Sequence, residues 1–237
     1  MVKKILVIIP CYNEEASLPL VLNELHAIRL PDSYNLQVLV INDCSTDGTK
    51  TVAQQHPVKL LDLPINLGIG GAVQSGLLFA LQNDFDLAIQ IDGDGQHPPK
   101  ELIKLLDQYQ ATKANVVIAS RFLANVGFRS SFTRRVGIRY FYRLNKLFTG
   151  KRIYDSTSGF RLFDRKAIAL GASYYPDDYP EPESLVLFSK AGLTIAEVPV
   201  MMSHRLGGRS SIRNFSALYY CIKVTIAMFF SFIRKTT

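Results

Sequence analysis

Asp92-Gly93-Asp94, within IQIDGDGQHPP, are the residues of this 237-residue chain whose types and spacing point most directly to chemistry. Carboxylates are hard oxygen donors, and a pair of them at the end of a buried strand suits a divalent cation such as Mg2+ or Mn2+. The intervening glycine lets the backbone turn tightly enough for both to approach one ion or its water shell. An ion held there would neutralise a diphosphate and help it leave. The competing reading is a loop whose aspartates cap the next helix, and position in the fold separates the two.

That position follows from the elements around it. Apolar runs at 5–9, 36–42, 58–62, 87–91 and 115–120 alternate with helix-like stretches near 15–29, 46–55, 70–82 and 99–111, the order expected of βαβ units. The runs are continuous rather than alternating, as in a mostly parallel sheet covered on both faces. Ligands of such sheets bind beyond the carboxyl ends of the strands. The polar residues fall there: Asn13 and Glu14 after the first run, Asp43 after the second, Asn66 after the third, Asp92 and Asp94 after the fourth. Beyond residue 120 the alternation stops. A helix over 129–152 mixes arginines with aromatics, then come a strand near 160–163, a helix near 181–191, a strand at 194–200 and a very apolar stretch at 215–233.

Composition narrows the class. Hydrophobic residues make up 48% and charged residues 20%, a globular balance. Three scattered cysteines without a CxxC favour a reducing compartment over a disulfide framework, and four single histidines offer no zinc cluster. Ile5 to Ile9 is too short for a signal-peptide core, so the bulk of the chain is expected in the cytosol. The net charge of +7 is unevenly spread: 8 Lys+Arg against 13 Asp+Glu in residues 1–120, but 12 against 2 in residues 121–166. An acidic front half and a basic middle fit a metal site followed by an anion-binding surface. Nucleic acid is not the expected anion, because no recognition motif for it is visible.

Taken together, IIPCYNEE, INDCSTDGT, NLGIGGAV and IDGDGQHPP, each after a strand, resemble the family 2 glycosyltransferases. STSGFRLFDRKA, EVPV and HRLGGRSSI resemble the later motifs of the dolichol-phosphate mannosyltransferase-like branch, so the likeness runs in order over about residues 4–213. The resemblance implies a GT-A fold, Rossmann-like, as one domain over 1–213, and an inverting transfer from a UDP- or GDP-linked sugar. Carried over, Pro10, Tyr12 and Glu14 would line the nucleotide pocket and Asp43 would meet the base. Asn66 and Gly68 would border the donor. Asp92, Gly93, Asp94 and Gln96 would hold the metal and diphosphate, with Arg205 and Ser210 in a loop closing over it. Asp43, Ser45 and Asp47 also fit an Asx-type turn and helix cap, and Asn66 a cap of the helix that Gly68 opens. The glycines at 68, 70 and 71 do not form a dinucleotide fingerprint, because they follow the third strand and Val73 stands where its last glycine belongs.

The acceptor is read from the basic region. Arg121 follows the fifth strand, and Arg134 and Arg135 are the next paired guanidinium groups. Arginine bonds phosphate in bidentate fashion, and in the resembled branch arginines of this region serve a lipid phosphate. Asp92, Asp94 and Arg121 are therefore the expected catalytic residues. An acceptor that is already a phosphate anion needs positioning but no base. The expected activity moves a hexose or N-acetylhexosamine to a polyprenyl phosphate at the cytoplasmic face of a membrane. The alternatives are a non-processive transferase acting on a glycan hydroxyl, in which Glu183 is a candidate base, and an inactive nucleotide-sugar-binding scaffold. The chain has no Trp, which excludes the QxxRW motif of polysaccharide synthases. Residues 214–237 are expected as a membrane-proximal helix, interfacial rather than spanning, because 17 residues interrupted by Lys223 sit at the lower limit for a bilayer. Relatives carry further transmembrane segments, so a small membrane-protein partner is also a candidate.

Overall fold

The run KKILVIIPC forms β1 (Lys3–Cys11), followed by α1 (Leu18–Ala27), β2 (Tyr34–Asn42), α2 (Thr49–Gln54), β3 (Lys59–Asp62), α3 (Gly68–Gln82) and β4 (Leu87–Gln90). A 3-10 turn at Pro99–Glu101 leads into α4 (Leu102–Thr112). Then come β5 (Val116–Ser120), α5 (Phe132–Thr149), β6 (Arg161–Asp164), α6 (Arg165–Ser173), α7 (Pro180–Lys190), β7 (Ile195–Pro199) and α8 (Ser216–Ile233). The computed structural model describes residues 2–123, 132–177, 180–203 and 216–234.

Seven strands make one sheet in the order β3-β2-β1-β4-β6-β5-β7. All are parallel except β6, which runs antiparallel between β4 and β5. β1 lies between β2 and β4, and its residues Ile5 to Ile9 are fully buried, which is why its sequence shows no alternation. Ile5, Val7 and Ile9 face a core closed by α1 and α4. Leu6 and Ile8 face a second core closed by α3, α6 and α7.

The chain moves from β1 outward to β2 and β3, then returns to the other side of β1 as β4. The strand order therefore reverses between β1 and β4, the switch point at which sheets of this kind open a ligand crevice beyond the carboxyl ends of the strands. Asp92 lies two residues beyond β4, on that crevice.

The predicted elements recur within a few residues at each end. α6, absent from the sequence reading, is a nine-residue helix started by Asp164, whose Oδ1 accepts the Ala167 amide at 2.9 Å. α8 packs through Val224 and Met228 onto Phe141 and Leu144 of α5 and Val186 of α7. Among the described residues no helix is long and apolar enough to cross a membrane.

Candidate active site

The loops after β1 and β2 border the crevice together. The loop after β1 turns at Asn13, whose φ of 59° is the left-handed conformation asparagine tolerates. It is laced to the loop after β2. The Asn13 amide donates to Ser45 Oγ at 3.0 Å, and Asn13 Oδ1 accepts the Thr46 amide at 2.8 Å. The Glu14 amide donates to Thr49 Oγ1 at 2.8 Å, and Glu15 Oε2 accepts the Gly48 amide at 2.6 Å. Glu14 itself is steadied by Ser17, whose hydroxyl donates to its Oε2 at 2.7 Å. Pro10 is buried at the end of β1, whereas Tyr12 is 51% exposed beside the crevice.

Asp43 is buried, and its two carboxylate oxygens accept the amides of Leu67 at 2.7 Å and Gly68 at 2.9 Å. It thus caps α3 from another loop, not the turn within its own loop that the sequence also allowed. Asp47 takes that local role, accepting from Thr49 N at 3.0 Å. Asn66 adds to the same cap, its Oδ1 accepting the Gly68 amide at 3.1 Å and its Nδ2 donating to the Asp43 carbonyl at 3.2 Å. Gly68 has a φ of +76°, and Gly70 allows the N-terminal turn of α3 to meet the chain before α7, because a Cβ there would lie 2.1 Å from the Pro176 carbonyl oxygen.

Asp92 and Asp94 leave β4 in a tight turn. Gly93 lets it pass close to the end of β1: a Cβ would sit 2.8 Å from Cys11 Sγ. Asp94 is buried, and its Oδ1 accepts the Gln96 amide at 2.9 Å. His97, which the sequence gave no reason to single out, is also buried. Its Nδ1 lies 3.1 Å from the Asp92 amide, and its ring lies against Phe160. Accepting an N–H makes Nδ1 the unprotonated nitrogen of a neutral ring. Burial pushes the imidazole pKa down to about 4 against the pull of the Asp94 carboxylate, in keeping with that neutral form.

The donor set fits a divalent ion that keeps part of its water shell. Asp92 and Asp94 are paired carboxylates, and among the described residues no group of three or more His, Cys, Asp or Glu could hold a metal. Mg2+ is bound in this way, by one or two carboxylates with substrate phosphates completing the shell.

Arg121 emerges from β5 and is not a free cation awaiting a ligand. Its Nε and Nη2 donate to the two oxygens of Asp155, each at 2.7 Å, its amide donates to Asp155 Oδ2 at 2.9 Å, and Nη2 also reaches Thr157 Oγ1 at 2.8 Å. Burial works against its charge, but Asp155 foremost, with Asp92 and Glu181 adding their fields, raises its pKa. Glu181, in the first turn of α7, feels the charges of Arg161, Asp92 and Arg121. Burial raises its carboxyl pKa, Arg161 opposes this, and Asp92 adds to it. Glu183, the sequence candidate for a base, instead lines a cavity with Phe230, Ser231, Ile233 and Arg234 near the end of α8. Arg205, Ser210 and the side chains of Arg134 and Arg135, in the first turn of α5, lie outside the described residues.

A mostly parallel sheet with paired aspartates at its switch point, bordered by a capped helix start, defines the GT-A class of folds. The model of "Glycosyl transferase family 2" matches residues 6–171, and the chain belongs to that family. It is 32% identical to the undecaprenyl-phosphate mannosyltransferase of Micrococcus luteus over 218 residues, covering 88% of this chain and 87% of the relative. It is 27% identical to the UDP-N-acetylglucosamine–dolichyl-phosphate N-acetylglucosaminyltransferase of Methanococcus voltae, covering 84% and 85%. Among solved structures, glucosyl-3-phosphoglycerate synthase from Mycobacterium tuberculosis, in complex with Mn2+, UDP-glucose and phosphoglyceric acid, superposes with a TM-score of 0.71 at 19% identity, covering 99% of this chain and 81% of that one.

Proposed function

We propose that this protein transfers a hexosyl or N-acetylhexosaminyl group, with inversion, from a UDP- or GDP-linked sugar to a polyprenyl phosphate. One observation carries the proposal: a half-buried guanidinium, Arg121, pre-oriented by Asp155, shares an end of the sheet with the Asp92–Asp94 turn and feels the charge of Asp92. A phosphate acceptor on one side of the transferred sugar and a diphosphate leaving group on the other need that arrangement.

The loops after β1 and β2, with Pro10, Tyr12, Glu14 and Asp43, would receive the nucleoside, and the start of α3 at Asn66 and Gly68 would border its phosphates. Mg2+ or Mn2+, held by Asp92 and Asp94 with Gln96, would supply charge neutralisation of the departing diphosphate. Arg121 would hold the acceptor phosphate with an oxygen directed at the anomeric carbon. An anionic oxygen attacks without surrendering a proton, so this transfer requires no base. Arg134 and Arg135 are proposed as further acceptor contacts, and Arg205 and Ser210 as part of the loop over the donor.

In this reading residues 1–213 form the transferase domain and 214–237 its membrane-facing helix, at the cytoplasmic face. Two exposed helix faces support the attachment: Arg139, Tyr140, Arg143, Lys146 and Leu147 on α5, and Tyr219, Ile222, Ile226, Phe229, Phe230 and Ile233 on α8. Neither helix contains an acidic residue. Cations beside apolar side chains fit an anionic lipid surface, and a small membrane protein seated on the same face is the competing partner. Transfer to a glycan hydroxyl is the second reading of the activity, favoured by Glu181, whose pKa, raised by burial with Asp92 adding to it, suits a base.

Incubating the purified chain with a panel of UDP- and GDP-sugars and with either short-chain polyprenyl phosphate or glycan acceptors tests both. A chelator-sensitive lipid-linked sugar, detected by mass spectrometry, is the expected product. Glycan products alone would overturn the proposal in favour of the second reading.

A further inference from the structure

Two sequence motifs, the run from Asp155 to Arg161 and Glu197-Val-Pro-Val, take no part in the donor or metal contacts above. In the fold they converge on Arg121. Asp155 is fully buried as a side chain and turns both oxygens to Arg121, binding the side-on edge of the guanidinium and the Arg121 amide together, while its Oδ1 also accepts the Thr157 hydroxyl at 3.3 Å. Thr157 adds its hydroxyl to the same Nη2. Within the described residues Nη1 makes no hydrogen bond, so it is the nitrogen left to meet a ligand.

The aspartate is held in turn. Glu197 lies on β7, in register with Ile118 of β5, two residues before that strand's end. Its carboxylate straddles two successive backbone donors, accepting the Tyr154 amide at 2.8 Å and the Asp155 amide at 2.9 Å. Arg161 secures the loop from the opposite side. It is fully buried and donates to the carbonyls of Ser156 at 2.8 Å and Ser158 at 2.7 Å. The side chains of 155 and 157 thus face one guanidinium while the carbonyls of 156 and 158 face another. At both acidic positions a carboxylate is required, because an amide would present an NH2 to one of the two N–H groups that the second oxygen accepts.

We propose that Asp155 and Glu197 are positioning residues that fix the plane of the Arg121 guanidinium for the acceptor's phosphate. The inference rests on the assignment of Arg121 to that phosphate. It explains why an edge-strand glutamate and a buried aspartate accompany a catalytic arginine: the geometry is set before the acceptor arrives, so binding need not order a flexible side chain.

The test uses the full chain and short-chain polyprenyl phosphate. Glu197→Gln preserves shape and is expected to raise the acceptor KM or lower kcat by roughly tenfold while nucleotide affinity by calorimetry stays within about twofold. Arg121→Lys is expected to be costly alone and to add little in the Glu197→Gln background, since both lose the same oriented contact. A purely structural role would lower the melting temperature yet leave the acceptor kinetics of the folded fraction and the additivity of the two substitutions untouched, and that result would overturn the proposal. Should Glu197→Gln not fold, Thr157→Val decides. It removes one guanidinium contact at a half-buried site, and an unchanged acceptor KM there would equally overturn it. Absence of lipid product from the wild-type chain would overturn the acceptor assignment and this inference together. Wild-type turnover with unaffected variants would overturn the positioning role alone.

Discussion

Asp43→Asn separates two roles that sequence reasoning left superposed, contact with the nucleotide base and capping of a helix. The carboxylate accepts the Leu67 amide at 2.7 Å and the Gly68 amide at 2.9 Å, and it is buried. An asparagine of the same shape keeps one acceptor and turns an NH2 toward the other amide. Its better rotamer keeps the Leu67 bond and gives up Gly68, because Gly68 retains Asn66 Oδ1 at 3.1 Å. The loss is then one hydrogen bond from an ionised acceptor at a helix start, about 1–2 kcal/mol after that compensation. For a chain of this size each kcal/mol lowers Tm by about 2–4 °C, so a fall of roughly 2–8 °C is expected in the absence of any nucleotide. Thermal melts of the wild type and variant, with amide exchange followed over the first turn of α3, measure it. Melting within about 1 °C of wild type, with α3 equally protected, would refute the capping argument. Weakened UDP or GDP binding in calorimetry would then remain as the one function of the carboxylate.

Asp94→Asn should abolish most transfer while leaving the melting curve near wild type, and titrating Mn2+ against protein and nucleotide should show weaker metal binding; full activity would sink the metal assignment. Gly93→Ala drives a Cβ to 2.8 Å from Cys11 Sγ and should cost about 1–3 kcal/mol, with Cys11→Ala expected to restore much of it, as denaturant melts of the single and double variants would report. Arg121→Ala strands the buried Asp155 carboxylate and should destabilise the fold by about 3–5 kcal/mol, so loss of acceptor use must be read from Arg121→Lys and the alanine variant judged by its melt. Replacing Ile226 and Phe230 by Glu on the exposed face of α8 should release the chain from anionic liposomes without altering nucleotide affinity. Removing α8 would be a poorer test, because Val224 and Met228 complete a core with α5 and α7. Undiminished pelleting of the doubly substituted chain would move the attachment elsewhere.

Much of this protein was legible along the chain because the relevant physics is local. Continuous apolar runs identify strands buried on both faces. The residues immediately after them identify the ligand end of the sheet, and a glycine between two aspartates reports a tight turn wherever it occurs. α6 escaped because it is nine residues long and begins directly from β6, with no loop to mark the change of period.

What the tertiary structure alone decided is the partnership of groups distant in sequence. Asp43 serves a helix that starts 25 residues later, because β3 returns the chain beside β2. The Glu181 carboxyl feels the charges of Arg161 and Asp92, while Glu183, two residues on in the same turn of α7, lines a cavity with the end of α8. Arg121 reads in sequence as an available cation, yet β6 inserted between β4 and β5, and β7 added beyond β5, bring Asp155 and Glu197 to bind and orient it. Local pattern specifies which residues can turn, cap or ligate. Which of them meet depends on strand order and burial, and those follow from packing the whole sheet at once.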